Sequence, residues 1–340
     1  MNRRHLLKNM SIMAFASVGS PIVQPPHPAF TAAASSATSS FDSIEELAKG
    51  VFFARGRVTY FENGNMQDIE CNNGWIIFDD FVLVIDANFP IKAAVLLQEI
   101  RKTTDKPIKY VFNTHHHGDH IYGNSVWTSQ GAMAIAHTDV IAELHHFETG
   151  YYGKEPGRWE SMAKVRTDLH QHTLVPPIIT FTDKLVIEDK TKRVELLHLG
   201  IGHTIGDGVA WLPNEKILFA GDACLNGPYN LFRDADVKPW IATLDKMHSL
   251  QPAILVPGHG PLGNSNTPHN QQAYFKLLYN WVSTKKAANN NFDALKMQLP
   301  ELRSLVQQNE KTKTYLIPDP EIATGFSLEA QTKKIFDTLS

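Results

Sequence analysis

Cysteine is almost absent from this chain, with Cys71 and Cys224 the two examples among 340 residues. Two cysteines exclude a disulfide framework as what holds a fold of this size together, and we expect two free thiols. The chain also has little excess charge of either sign, because the formal net charge is −3. The chain therefore lacks the basic field of proteins that bind nucleic acid.

Long hydrophobic runs are missing as well. No apolar stretch of 18 residues follows the N-terminus, so the sequence predicts no membrane span. No short-period internal repeat occurs either. Hydrophobic residues make up 43% and charged residues 20% of the chain, the balance of a soluble globular protein. The length allows one large domain or two small ones.

The first 40 residues are typical of an export signal followed by a linker. Arg3 and Arg4 precede a short and weakly apolar stretch at 10–18. Ala32–Ala34 offer the small residues of a cleavage site. The paired arginines are similar to those of a twin-arginine signal, which predicts a periplasmic or secreted protein. The proline-rich piece 21–28 leaves the position of the cut open, and a tail with chance arginines is the alternative.

Histidine, in contrast, is abundant, with 16 in the chain and four of them within the stretch 114–120. The stretch follows an apolar run that ends at Phe112. Alternate residues leaving a strand point the same way, so His115 and His117 can share one metal ion. Imidazole and carboxylate together suit zinc or a similar divalent ion.

The second half of this stretch is predicted to serve a second metal position nearby. Asp119 and His120 turn away from the strand direction, and Gly118 frees the backbone to make that turn. The full pattern H-x-H-x-D-H is much more specific than an isolated pair of histidines, which is most often part of a solvated loop.

Three more metal-capable side chains each follow an apolar run and a glycine. They are His203, Asp222 and His259. Buried strands that end in glycine-rich loops carry function on those loops. We therefore expect these three residues to be functional.

The motifs and their order closely resemble the metallo-β-lactamase superfamily of hydrolases over about residues 45–265. The resemblance implies an α/β (α+β) fold of the αββα sandwich type, with the metals at one edge of two facing sheets. Strands followed by a helix, twice over, favour the same layers. The predicted organisation is an export signal and linker at 1–40, a metallo-β-lactamase-like domain at 41–265, and C-terminal helices at 266–340 packed on that domain.

Carried over residue by residue, the resemblance implies ligands for two zinc ions or other divalent metals. The ligands of the first ion are His115, His117 and His203. The ligands of the second ion are Asp119, His120 and His259. Asp222 would bridge the two ions, and a metal-bound hydroxide would attack the substrate. Asp119 would also act as the catalytic residue that accepts a proton from the attacking water.

Two positions depart from the family's pattern. The family usually has Asp-Thr-Gly where this chain has Asp86-Ala87-Asn88, so Asp86 either supports the metal loop or is a simple turn residue. Some β-lactamases of the superfamily bind the second ion through a cysteine and lack a histidine at the position of His120. Because Asp222 already takes the bridging position, we expect Cys224 to lie behind the ligands or in the packing.

Short apolar runs and helical spacing predict the elements around these motifs. They predict a strand at 51–61, a hairpin at 75–85, and helices at 91–101, 137–148 and 239–250. Three histidines match no motif and are expected to be ordinary residues of a surface helix: His137, His145 and His146. The aromatic residues of 149–177 either contact substrate or pack a cover over the mouth of the site.

The function implied is an exported dinuclear zinc hydrolase that cleaves an ester, thioester, lactone or amide of a small-molecule substrate. The motifs also resemble periplasmic zinc hydrolases associated with quinoprotein oxidation. The alternatives are a β-lactamase, an enzyme similar to mononuclear-iron persulfide dioxygenases, and a non-enzymatic metal-binding protein. A full second set of ligands argues against the iron enzyme.

Overall fold

The structure is a computed structural model that describes residues 41–59, 68–148, 157–317 and 325–339. The predicted export signal, at 1–40, lies outside the described residues. Two sheets of seven and five strands form the body of the protein. None of the helices in the described ranges is long and apolar enough to cross a membrane.

In the first sheet, neighbours along the chain are also neighbours in space. Its strands, in order across the sheet, are β1 (Ser43–Ala48), β2 (Val51–Arg55), β3 (Asn73–Ile77), β4 (Val82–Ile85), β5 (Ile108–Phe112), β6 (Met133–His137) and β7 (Ile179–Phe181). The pairs from β1 to β4 are antiparallel and those from β4 to β7 are parallel. All four residues of β4 are buried, as expected of a parallel strand that is covered on both faces.

The second sheet repeats this plan with fewer strands. They are β8 (Lys184–Glu188), β9 (Arg193–Leu197), β10 (Val209–Leu212), β11 (Ile217–Gly221) and β12 (Ile254–Pro257). The pairs from β8 to β11 are antiparallel, and β12 runs parallel to β11. Side chains of both sheets, such as Phe112 and Phe219, form one buried apolar cluster between them.

Helices cover the outer faces of both sheets. In chain order, the α-helices of the described residues are α1 (Pro90–Arg101), α2 (Gly118–Ile121), α3 (Asn124–Ser129), α4 (Thr138–Phe147), α5 (Arg158–Ala163), α6 (Val237–Ser249), α7 (Asn266–Ala288), α8 (Phe292–Lys296), α9 (Leu299–Gln307) and α10 (Leu328–Thr338). Apolar residues of α1 and α3 pack on the first sheet, and those of α6 and α7 pack on the second. The predicted αββα layers are therefore confirmed.

The C-terminal helices extend the layer over the second sheet. α7 packs along α6, and residues of α9 and α10 join the same apolar cluster as the strands. Tyr274 of α7 donates a hydrogen bond to the side-chain oxygen of Gln331 in α10 at 2.5 Å. The helical extension predicted after residue 265 thus shares a core with the second sheet.

Local signals missed some of the boundaries. The strand predicted at 51–61 is interrupted, because β2 ends at Arg55 and Val58–Thr59 pairs in a separate ribbon with Asp68–Ile69. Gly56 lies at the break, where a Cβ would come within 2.3 Å of the carbonyl oxygen of Cys71. Helix α6 begins before the predicted residue 239, because the Asp236 carboxylate caps it by accepting from the Lys238 N–H.

Candidate metal centre

The predicted metal-binding loops meet at one edge of the two sheets. The stretch 114–120 follows β5, His203 follows β9, Asp222 follows β11 and His259 follows β12. Within each sheet these strands run in the same direction, so their carboxyl ends lie at the same edge. Open α/β sheets place their ligands outside the carboxyl ends of parallel strands.

Four of the predicted ligands form a first group. The group contains His115, His117, His203 and Asp222, all buried, with ligand atoms within 4.8 Å of one another. His117 Nδ1 lies 2.9 Å from His203 Nε2, which in turn lies 3.5 Å from Asp222 Oδ2. Burial lowers the pKa of His203 to about 4, and lowers that of His115 well below its usual value. These imidazoles are therefore neutral, the state in which they bind metal.

Three further predicted ligands form a second group beside the first. Asp119 Oδ2 lies 3.1 Å from His259 Nε2 and 3.3 Å from His120 Nε2. Asp222 Oδ1 lies 3.4 Å from His120 Nε2 and 3.5 Å from His259 Nε2. One oxygen of Asp222 therefore faces the second group while the other faces His203 of the first.

Several atoms of both groups are buried and make no hydrogen bond within the described structure. They include His115 Nε2, His120 Nε2, Asp119 Oδ2 and Asp222 Oδ1. A buried polar atom without a partner costs about 1–3 kcal/mol. Imidazole nitrogens and carboxylate oxygens that converge in this way fit divalent metal ions of the zinc type.

The charges of the second group favour a cation. Burial alone would lower the pKa of His259, but the neighbouring Asp222 carboxylate raises it to about 9. Burial likewise opposes ionisation of Asp119, but His120 and His259 hold its pKa below the usual value. The two carboxylates therefore make this group a site that attracts positive charge.

Asp86 supports the metal loop. Its carboxylate accepts from the Thr114 N–H at 2.8 Å and the Thr114 hydroxyl at 3.0 Å, and it lies 2.8 Å from His120 Nδ1. This last contact turns the other ring nitrogen of His120 towards Asp119 and Asp222. Asp86 has a φ of 60°, a left-handed conformation that Asp tolerates better than most residues.

Asp234 contacts a predicted metal ligand, and no motif revealed it. Its Oδ2 lies 2.8 Å from His117 Nε2, and Arg158 holds the carboxylate with two hydrogen bonds of 2.7 and 2.8 Å. His116 joins this network, with Nδ1 2.9 Å from the buried Glu143 and Nε2 3.2 Å from Arg158. Neither an apolar run nor a glycine precedes Asp234, so no local signal marked it.

Replacing Asp234 by alanine should weaken metal binding. The Asp234 carboxylate fixes the ring of His117 with Nδ1 towards the first group, and losing such a partner typically costs about 10- to 100-fold in metal affinity. Competition with a chromophoric chelator measures the change. Asp337→Ala is the matched control, because Asp337 pairs with Lys333 on an exposed face of α10. Equal zinc affinity in the two variants would contradict the role of Asp234.

The remaining cysteines and histidines contribute differently. Both cysteines are free thiols, as expected. Cys224 is fully buried in the apolar cluster of α6 and α7 and belongs to neither metal group, whereas Cys71 Sγ donates to the Asp119 carbonyl at 2.9 Å. His137 is buried, so the prediction of a surface residue was wrong. His137 is the last residue of β6 and precedes the helix, and its ring stacks on that of His198 with centroids 4.0 Å apart.

A cavity of about 960 Å³ opens onto the centre. Asp119, Asp222 and His259 lie on its wall, together with residues of α5 and α10. From the stretch 149–177, Met162, Val165 and Arg166 line the cavity, whereas Trp159 packs against Tyr122 with ring centroids 4.8 Å apart. Tyr151 and Tyr152 lie outside the described residues.

The part of the chain that holds these groups is similar to known proteins. A family model described as the metallo-beta-lactamase superfamily matches residues 68–259, which include all seven predicted ligands. The chain is 25% identical over 211 residues to a linear primary-alkylsulfatase of a Pseudomonas species, over 53% of this chain and 39% of that protein. It is 38% identical over 91 residues to a metallo-beta-lactamase type 2 of Bacteroides fragilis, over 25% of this chain and 36% of that protein. The matches thus cover well under two thirds of either relative.

A solved structure shares the fold. The metallo-beta-lactamase from Pontibacter korlensis superimposes with a TM-score of 0.54 at 19% identity, over 69% of this chain and 98% of that one. At this level of identity the likeness shows the arrangement of sheets and helices alone.

Proposed function

Because the chain belongs to the metallo-beta-lactamase superfamily, whose members are mostly metal-dependent hydrolases, we propose that it hydrolyses an ester, thioester, lactone or amide with two zinc or similar divalent ions. The observation that carries the proposal is the position of Asp222, whose two oxygens face histidines of both groups. Export to the periplasm or beyond is part of the proposal and rests on the sequence of residues 1–40 alone.

The residues of each group have defined parts in this proposal. His115, His117 and His203 would hold the first ion, Asp119, His120 and His259 would hold the second, and Asp222 would serve both. When bound, divalent ions at such a centre lower the pKa of a water molecule and polarise the carbonyl of the substrate. Asp119 leaves 17% of its side chain exposed and lies on the cavity wall, so it can take the proton of the attacking water.

Direct attack by water is supported by what lies around the centre. Both thiols are fully buried, so neither reaches a substrate in the cavity. Ser161 lines the cavity on α5, but its hydroxyl makes no hydrogen bond to a histidine or carboxylate of the described residues. A serine nucleophile needs an adjacent base, and Ser161 has none among the described residues. Cys71 lies close to His120, but its thiol is fully buried away from the cavity.

Hydrolysis in water enriched in heavy oxygen should place the label in the product acid within a single turnover. This follows because no side chain of the centre forms a covalent intermediate. Mass spectrometry of the product after one turnover measures the incorporation. Ser161→Ala is the control and should retain both the rate and the labelling. Label that enters the product only after several turnovers would reveal a nucleophilic side chain and refute direct attack.

A panel of substrates on zinc-loaded protein tests the proposed activity itself. It contains an ester, a thioester, a lactone and a β-lactam, with an alkyl sulfate added because one relative carries that name. We expect turnover of at least one carbonyl substrate that is lost with a chelator and restored by zinc. Tight binding of zinc without turnover of any member would instead indicate a metal-binding protein without hydrolase activity.

A further inference from the structure

Apolar side chains form much of the cavity wall away from the metal ligands. They are Phe89, Met162, Val165, Leu231, Phe232 and Phe326. Val165 leaves 77% of its surface exposed and Met162 leaves 36%. Large apolar side chains at a concave surface mark the place where the apolar part of a ligand is buried.

Four cationic side chains line the same cavity, and two of them are already neutralised. Arg158 makes its paired hydrogen bonds to Asp234. Arg166 makes two hydrogen bonds to Asp168, at 3.2 and 3.1 Å. The positive charges of these two arginines are therefore largely balanced by carboxylates and are less available to bind an anionic ligand.

The positive charges of the other two cations, Lys334 and Arg233, are less fully balanced by carboxylates of the described residues. Lys334 Nζ donates to the carbonyl oxygen of Arg233 at 3.0 Å and pairs with no carboxylate in the described part of the chain. Arg233 reaches Asp234 by a single contact of 3.4 Å, and its side chain is 52% exposed. The Asp234 carboxylate is already held by Arg158 and His117.

The carboxylates on the cavity wall do not neutralise this pair. Asp119 and Asp222 belong to the metal centre. The third, Glu148, is buried and accepts a hydrogen bond from the hydroxyl of Tyr122. The cavity therefore presents unbalanced positive charge beside its apolar wall.

Helix α10 holds this part of the wall in place. Ala330 and Lys334 are four residues apart, so they lie on one face of the helix, and both line the cavity. Gln331 fixes the helix by donating to the carbonyl oxygens of Asn230 and Phe326 at 2.8 and 3.0 Å. α10 lies outside the residues 68–259 that match the family, so Lys334 reaches the cavity from the C-terminal helices, whereas Arg233 lies within the matching residues.

We propose that the substrate is an amphipathic anion, whose apolar body lies against the phenylalanine, leucine and methionine wall and whose negative group is bound by Lys334 and Arg233. The inference rests on the proposed function, because the hydrolysed bond is the part of the molecule that reaches the metal centre. Helix α10 is then the specificity element of the enzyme. The negative group can be a carboxylate or a sulfate, since both are anionic. It contacts Lys334 and Arg233 and does not contact the metal ions.

A matched pair of esters tests this specificity. Mono(4-nitrophenyl) adipate and 4-nitrophenyl hexanoate have acyl chains of equal length, and only the first ends in a carboxylate. The zinc-loaded enzyme should prefer the adipate ester in kcat/KM. Lys334→Gln should reduce that preference about tenfold, since a hydrogen bond to a charged group is lost at a partly exposed site.

Lys333→Gln is the control on the same helix. Lys333 pairs with Asp337 at 2.6 Å and does not line the cavity, so this variant should keep the preference of the wild type. An unchanged preference in Lys334→Gln, or a wild-type preference for the neutral ester, overturns the inference.

Calorimetric titration with octanoate and with octanamide gives a second readout that needs no turnover. Octanoate should bind the zinc-loaded protein more tightly than octanamide, and Lys334→Gln should remove about tenfold of that advantage. If the metal ions alone bind octanoate, its affinity for the wild type and for Lys334→Gln would be equal, and that result overturns the inference. If no member of the substrate panel and neither ester is cleaved while octanoate binding depends on Lys334, the hydrolase proposal fails and the anion site stands.

Discussion

Asp222→Ala should lower kcat/KM for any substrate of this protein by at least about 100-fold, because loss of a residue that merely supports a ligand already costs 10- to 100-fold. The expected loss is larger here because Asp222 contacts both groups. Its Oδ1 faces His120 and His259, and its Oδ2 faces His203. Alanine removes the carboxylate that holds both positions together and leaves the imidazoles without its negative charge.

Metal content and rate together test this prediction. After dialysis against a weak chelator, the variant should retain less zinc per chain than the wild type, with the more weakly held ion lost first. Asp222→Asn is the matched comparison, because it keeps the size of the side chain and one oxygen while removing the charge. Zinc content and turnover equal to those of the wild type in the alanine variant would refute the bridging role.

Trp240→Ala should lower the free energy of unfolding by about 3–5 kcal/mol, the usual cost of truncating a large buried aromatic side chain. Trp240 is fully buried on α6, and its indole N–H donates to the Ala223 carbonyl at 2.8 Å. Its ring packs on Phe275 with centroids 4.5 Å apart and on His203 at 5.6 Å. The cavity left by alanine would therefore open directly behind a predicted metal ligand.

Denaturant unfolding at fixed zinc concentration measures this loss. Trp240→Phe keeps most of the apolar contact but leaves the Ala223 carbonyl without its donor, so it should cost about 1–3 kcal/mol. We also expect the alanine variant to bind zinc less tightly, since the ring that packs on His203 is gone. A loss of stability below about 1 kcal/mol in Trp240→Ala would show that the site collapses around the gap.

Much of the fold followed from patterns that are local in the chain. The apolar run of β5 and the stretch that follows it predicted a strand delivering ligands, and the structure places His115 and His117 in one group. Such signals are readable because a strand forces its side chains to alternate and because glycine marks the turn beyond it. The family resemblance and the αββα layers, which depend on the order of these motifs, were confirmed.

Boundaries were less readable because they depend on neighbours in space. His137 was predicted to lie on a surface helix, but it belongs to the last residues of β6 and is buried beside His198. The break after β2 depends on the close approach of Gly56 to Cys71, fifteen residues away in the sequence. Neither contact leaves a periodic trace in the residues around it.

The sequence by itself determined which metal-capable side chains follow the strands, because local spacing reveals their order. The structure brings these predicted ligands together in two groups: His115, His117, Asp119, His120, His203, Asp222 and His259. Tertiary structure alone decided what surrounds them. Asp234 reaches His117 across 117 residues of chain, and α10 brings Lys334 to the cavity from beyond the family domain. The physical reason is that apolar burial decides how distant segments pack. Polar partners brought together in this way are not separated by a regular number of residues, so no sequence pattern predicts them.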